Sequence, residues 1–190
     1  MLAEHDALLV VDVQRDFLPG GALGVPRGDE VVPVLTACID RFKRRNLPIA
    51  ASRDWHPSNH CSFHEFGGSW PPHCVAGTAG AELDPALQLP ADAKIVDKAR
   101  SANRDAYSAF DETELHAWLQ EHGVKRLFIG GLATDYCVQH SARDALKHGY
   151  VVVLLKDAMR AIDPVAGEGI IEEFCSLDAS VIRSGDMLDE

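Results

Sequence analysis

Six short segments of the chain are apolar and rich in branched residues, and stretches with helical spacing alternate with them. Ala7-Leu8-Leu9-Val10-Val11-Asp12-Val13 is a nearly continuous apolar run, the pattern of a strand covered on both faces in a parallel sheet. Apolar residues then recur at Val31, Val34, Leu35, Cys38, Ile39 and Phe42, which predicts a helix over 31–44. Further strands are predicted at 48–52, 94–98, 126–131, 150–155 and 179–182. Further helices are predicted at 112–122, closed by Gly123, at 134–148, closed by Gly149, and at 164–177. Alternation of this kind builds β-α-β units. It predicts an α/β, doubly wound fold with a mostly parallel six-stranded sheet and helices on both faces.

Residues 55–92 break the alternation. Pro57, Gly67, Gly68, Pro71, Pro72 and Gly77 interrupt any period, yet Trp55, Trp70 and four of the nine histidines fall here. A structureless segment longer than ~15 residues inside a compact domain is usually functional or disordered, and this composition argues for function.

Composition narrows the rest. A length of 190 residues, with 46% apolar and 25% charged positions, predicts one globular domain over 1–190. The net charge of −11 repels phosphate backbones, so nucleic acid is not an expected partner. Apolar runs such as Ala7 to Val11 are far shorter than the ~20 residues that span a bilayer, so no membrane association is expected. The opening Met1-Leu2-Ala3-Glu4-His5-Asp6 lacks the basic start of a signal peptide. Five cysteines, an odd number without a CxxC pair, argue against a disulfide framework and for the cytoplasm. A small neutral or cationic ligand remains open, and the sheet edges and helix faces would allow a homo-oligomer without specifying one.

In an open parallel sheet, ligands bind beyond the carboxyl ends of the strands. Asp12, Asp54, Lys98 and Cys137 fall at or just past four such ends. A carboxylate and an ammonium on the same rim as a thiol can make it a nucleophile, which a free thiol with a pKa near ~8.5 is not at neutral pH. Thr134 is a candidate N-cap, which would put Cys137 in the first turn of a helix, where partial positive charge favours a thiolate. A small buried cysteine is the competing reading of Cys137, and a backbone-binding aspartate that of Asp12. In Asp54-Trp55-His56, alternate side chains of an extended segment point the same way, so Asp54 and His56 could share an ion. His60, His64, Glu65 and His73 follow, and prolines 71 and 72 fix the backbone before His73. Oxygen and nitrogen donors without thiolate suit zinc, iron or manganese.

Four segments together carry a resemblance. They are Val11-Asp12-Val13-Gln14-Arg15-Asp16-Phe17; Asp54-Trp55-His56 with Ser69-Trp70-Pro71-Pro72-His73-Cys74; Asp105-Ala106-Tyr107-Ser108-Ala109-Phe110 after Lys98; and Gly130-Gly131-Leu132-Ala133-Thr134-Asp135-Tyr136-Cys137-Val138. In this order they resemble the nicotinamidases of the isochorismatase-like cysteine hydrolase family. The resemblance implies a strand order of 3-2-1-4-5-6 and hydrolysis of nicotinamide, with pyrazinamide as a second substrate. It implies a catalytic triad of Asp12, Lys98 and Cys137, a cis peptide between Leu132 and Ala133, and an oxyanion hole from the N–H groups of Ala133 and Cys137. It also implies one divalent metal, zinc foremost, held by Asp54, His56 and His73 in a loop at about 54–92, with His60 or else Glu65 as a fourth ligand. Phe17, Trp70, Tyr107 and Tyr136 would wall the pyridine ring. Lys98-Ala99 departs from the Lys-Gly of many members. Three rival readings stay open: a metal-bound hydroxide as catalyst, a different amide substrate, and a metal-stabilised binding domain with an inert thiol.

Overall fold

The computed structural model describes residues 2–177 and 179–187. Strands β1 (Asp6–Val11), β2 (Ile49–Asp54), β3 (Lys94–Lys98), β4 (Arg126–Leu132), β5 (Val151–Arg160) and β6 (Ala179–Ile182) form one sheet in the order β3-β2-β1-β4-β5-β6. Every pairing in it is parallel. Helices α1 (Val31–Arg44), α2 (Leu115–Glu121), α3 (Gln139–Lys147) and α4 (Pro164–Ser176) connect and cover the strands.

The two-residue period of a strand sorts its side chains between two cores. In β1, Leu8 and Val10 join Leu35, Ile39 and Phe42 of α1 on one face. Ala7, Leu9 and Val11 join Leu115 and Leu119 of α2, Ala142 of α3 and Phe174 of α4 on the other. Burial of each large apolar side chain contributes roughly 1.5–3 kcal/mol, which is why β1, apolar on both faces, lies at the middle of the sheet.

Strand order reverses where β1 lies between β2 and β4, and the crevice beyond the carboxyl ends opens at that point. Close approach of β1 and β4 there depends on Gly131. It adopts φ +134°, and a Cβ at this position would stand 2.0 Å from the Val11 carbonyl oxygen.

Several boundaries differ from the sequence reading. β1 stops at Val11 because Asp12 turns into the left-handed region at φ 48°. β5 runs on to Arg160, past the polar pair Lys156 and Asp157, after a register shift opposite Ile129 and Gly131. α2 begins at Leu115, since Glu112 has φ 55°. The segment expected as one helix from Thr134 opens with a π-helical turn, Thr134–Val138, before α3. Ala133 takes the N-cap position there, so the Thr134 hydroxyl is not the cap. Residues 55–93 hold three single 3-10 turns, His64–Phe66, Ala79–Ala81 and Pro85–Leu87, tied together by backbone bridges such as His56 to Val75 and Phe63 to Trp70.

Candidate active site

Asp12, Lys98 and Cys137 reach the rim from β1, β3 and the turn after β4, and all three are buried. Lys98 Nζ stands 3.0 Å from Asp12 Oδ2 and 3.4 Å from Cys137 Sγ. It also donates to the Ala106 carbonyl at 3.1 Å and makes a short bond to Asp54 Oδ1. Ser52 donates its hydroxyl to Asp12 Oδ1 at 2.7 Å. Asp12 Oδ2 has no aligned hydrogen bond among the described residues, so a lone pair remains to take a proton.

Electrostatics follow from burial. Desolvation raises the Asp12 carboxyl above its ordinary value, with Lys98 opposing. Burial likewise pushes the Cys137 thiol well up, again against Lys98. For Lys98, burial works downward but loses to the Asp12 and Asp54 carboxylates, and the ammonium stays charged. Asp54 is held below the usual carboxylate range: burial raises it, but Lys98 and His56 together outweigh that. Burial thus favours the thiol form of Cys137 and Lys98 its thiolate, beside a carboxyl whose own pKa is raised. The charge develops as the proton moves.

The other oxygen of Asp54 faces the loop. His56 Nε2 lies 3.5 Å from Asp54 Oδ2, and the donor atoms of Asp54, His56 and His73 all lie within 4.8 Å of one another. Both ring nitrogens of His56 are buried without a hydrogen-bond partner among the described residues, which a polar ring avoids unless something else binds it. His73 Nδ1 donates to the Pro71 carbonyl at 2.8 Å, which orients the ring and leaves Nε2 for the cluster. Burial lowers the His73 pKa, so the ring is neutral, as a metal ligand must be. One carboxylate oxygen and two imidazole nitrogens fit a borderline divalent cation.

His60 stands beside the cluster, its ring 4.2 Å from that of His56, but both its nitrogens are engaged. Nε2 donates to the Arg104 carbonyl at 3.0 Å, and Nδ1 pairs with the Ser62 hydroxyl at 2.7 Å. Glu65 sits on the exposed turn His64–Phe66 and is not among the grouped donors. The structure brings together three of the expected ligands and neither candidate for the fourth.

Cys137 and the cluster residues Asp54, His56 and His73 line one cleft. Phe17, Trp70, Tyr107 and Tyr136 all line it. Phe17 packs on His73 at 5.6 Å between ring centroids, Trp70 on Tyr136 at 5.1 Å, and Tyr107 on Tyr136 at 5.6 Å. Trp70 Nε1 donates to the Tyr107 hydroxyl at 3.3 Å. The Leu132–Ala133 bond is cis, and the Ala133 carbonyl accepts from Tyr136 and Val138, each at 3.1 Å. Leu23, Val25, Ser62, Asp105 and Ile162 also line the cleft and were not singled out in the sequence. Asp105 lay in a matched segment without a role, whereas the others carry no local signal. A wider depression at the opposite end of the strands, among Lys43, Leu47, Pro48 and Trp118, carries no thiol.

Comparison with known proteins bears on this arrangement. The model of the isochorismatase domain matches residues 6–184. The nicotinamidase of Escherichia coli (strain K12) is 40% identical over 178 residues, covering 83% of this chain and 84% of that protein. A crystal structure of the pyrazinamidase of Pyrococcus horikoshii in complex with zinc superposes with a TM-score of 0.90 at 49% identity, covering 94% of this chain and 99% of that one. PnC1 from L. infantum, in complex with nicotinate, gives a TM-score of 0.90 at 37% identity, covering 98% and 96%. With the domain matched over almost its whole length and the expected strand order in place, this chain belongs to the isochorismatase family.

Proposed function

We infer that the chain is a nicotinamidase, an amidohydrolase that converts nicotinamide to nicotinate and ammonia in NAD salvage and also deamidates pyrazinamide. The observation that carries the site assignment is the convergence of Asp12 and Cys137 on Lys98, with Cys137 lining the same aromatic cleft as Asp54, His56 and His73.

The catalytic course uses the three rim residues. Asp12 accepts the Cys137 proton through Oδ2, and Sγ attacks the carboxamide carbon. Lys98 balances the charge passing between them. The tetrahedral oxyanion accepts hydrogen bonds from the N–H groups of Ala133 and Cys137, each contributing about 3 kcal/mol. Asp12 then gives its proton to the leaving nitrogen, and ammonia departs from the thioester. A water deprotonated by Asp12 attacks that thioester, nicotinate leaves, and Sγ recovers its proton.

A divalent ion held by Asp54, His56 and His73 would offer a Lewis-acid contact to the pyridine nitrogen. Zinc is the first choice, given the donor set and the zinc complex of the Pyrococcus horikoshii relative, with iron or manganese as alternatives. Protein donors for a fourth position are His60, after release of its present hydrogen bonds, or Glu65. Phe17, Trp70, Tyr107 and Tyr136 wall the ring. The substrate is a small carboxamide. Residues 1–190 work as a single domain in the cytoplasm, in keeping with five unpaired cysteines, and a homo-oligomer is compatible with the fold. Among the described residues no helix is long and apolar enough to cross a membrane.

The deciding experiment is ammonia release from nicotinamide by the parent and by Cys137→Ala, with mass detection of a Cys137 adduct after exposure to nicotinaldehyde. Turnover that survives Cys137→Ala sinks the thiol mechanism.

A further inference from the structure

Gln14 is wholly buried, and its amide makes three hydrogen bonds, all to backbone. Oε1 accepts from the Asp54 N–H at 2.8 Å. Nε2 donates to the carbonyls of Asp54 and Ala81, each at 2.8 Å. A primary amide presents the same donor and acceptor as a peptide group. That equivalence matters here because pairing of β1 with β2 ends at Val11 and Ser52, where Asp12 turns away. On its other side Asp54 pairs with Lys98 of β3, and the Trp55 N–H reaches the Lys98 carbonyl. Asp54 would therefore face an empty ladder position on the β1 side. The Gln14 side chain fills it in place of the missing peptide, and its bond to Ala81 fastens the loop to the same point.

We propose that Gln14 is a positioning residue, which by clasping the Asp54 backbone sets one carboxylate oxygen on Lys98 and the other on the His56 and His73 cluster. It thereby ties the geometry of the metal site to that of the triad. The inference rests on the reading of both sites given above. Asp54 is the only residue that both bonds Lys98 and belongs to the donor group with His56 and His73, among the described residues. A small rotation of its backbone would move both oxygens at once. A buried amide whose three partners were only generic loop carbonyls would not have this consequence, and the distinction can be measured.

The test uses Gln14→Met, which keeps length and bulk and removes every hydrogen bond, with Leu119→Ala in the distant α2 core as a control for general destabilisation. Zinc affinity is measured by competition with a chelator, without substrate, and kcat and KM are measured at saturating zinc. Gln14→Met should bind zinc roughly 10- to 100-fold more weakly, the usual effect of losing a group that orients a ligand. It should also lose kcat with zinc saturating, because Lys98 no longer meets a fixed Asp54. Leu119→Ala should lower Tm while leaving zinc affinity at the parent value. Gln14→Glu keeps the shape but sets an oxygen against the two carbonyls that Nε2 now contacts at 2.8 Å, and should lose at least as much affinity as Gln14→Met. Parent-like zinc affinity in either folded Gln14 variant overturns the proposal. Because zinc binding is read without turnover, a chain that hydrolysed no carboxamide would defeat the assigned activity and leave this result standing.

Discussion

Lys98 Nζ and Cys137 Sγ stand 3.4 Å apart in an interior that closes over both. The ammonium is also the counter-charge for Asp12 and Asp54, so three acidic groups share one cation. Lys98→Met keeps the volume and removes that cation. Loss of one member of a buried ion pair typically costs 3–5 kcal/mol. Without Lys98 nothing comparable offsets the burial that raises the Asp12 pKa, so less of its carboxylate is free to act as a base. We predict a lowered Tm and a fall in kcat/KM of roughly 10²-fold or more, the scale of general acid–base catalysis. Near-parent turnover by a folded Lys98→Met would contradict the role given to the lysine.

Metal removal should act on a different parameter. If the ion chiefly holds the pyridine ring, His73→Ala or dialysis against a chelator raises KM for nicotinamide more than it lowers kcat. Steady-state kinetics before and after zinc is restored to the parent decide this. An unchanged KM in metal-free protein removes the ion from substrate binding.

Acid should destabilise the fold partly through His148. Its ring stacks on His116 at 4.0 Å between centroids. Partial desolvation of this mostly exposed ring, followed by the neighbouring His116, lowers its pKa from the ordinary 6.5. Unfolded His148 therefore binds a proton at a pH where the folded ring does not. That contribution to stability is present above about pH 6.5 and is lost as pH falls from there toward the lower folded pKa. Denaturant titrations at pH 7.5 and 5.5 should differ less for His148→Phe than for the parent. An equal pH response in both chains would refute the assignment.

Gly131 and Gly149 offer a matched pair. Both have positive φ, +134° and +84°, but an added Cβ meets Val11 backbone at 2.0 Å in the first case and nothing within 4 Å in the second. Gly149→Ala should cost about 1–2 kcal/mol, the strain of a left-handed non-glycine residue. Gly131→Ala should cost distinctly more, since β1 and β4 must separate, and should lower kcat as Asp12 and Cys137 draw apart. Similar losses of Tm in the two variants would show that the close approach is not the constraint.

Much of this fold can be read from periodicity. Helix 31–44 and strands 94–98 and 179–182 have the boundaries that their apolar spacing predicts. Strand order and cis peptide were legible only through the family resemblance. Boundaries failed where a single backbone angle decides the outcome: the positive φ of Asp12 and Glu112 leaves no mark in hydropathy. Ala99 is similar. Its φ of 54° is one that glycine adopts more readily, a physical reason for the Lys-Gly that the family resemblance implies here. The meeting of Asp12, Lys98 and Cys137 was readable because three reactive side chains fell at strand ends. The state of His60 was not, because it depends on the Arg104 carbonyl, 44 residues away. Gln14 looked like an ordinary polar residue after a strand, and its use depends on where β1 stops.

The left-handed corners at Asp12, Cys74 and Ala99 each adjoin or contain a side chain of the proposed site: Asp12 itself, His73 and Lys98. Such corners turn the main chain within one residue, so these groups stand on short rigid brackets rather than on swinging arms. A receptacle of this kind is shaped before its guest arrives. The free and occupied forms should then differ mainly in side-chain rotamers, and little of the binding free energy is spent on ordering the main chain.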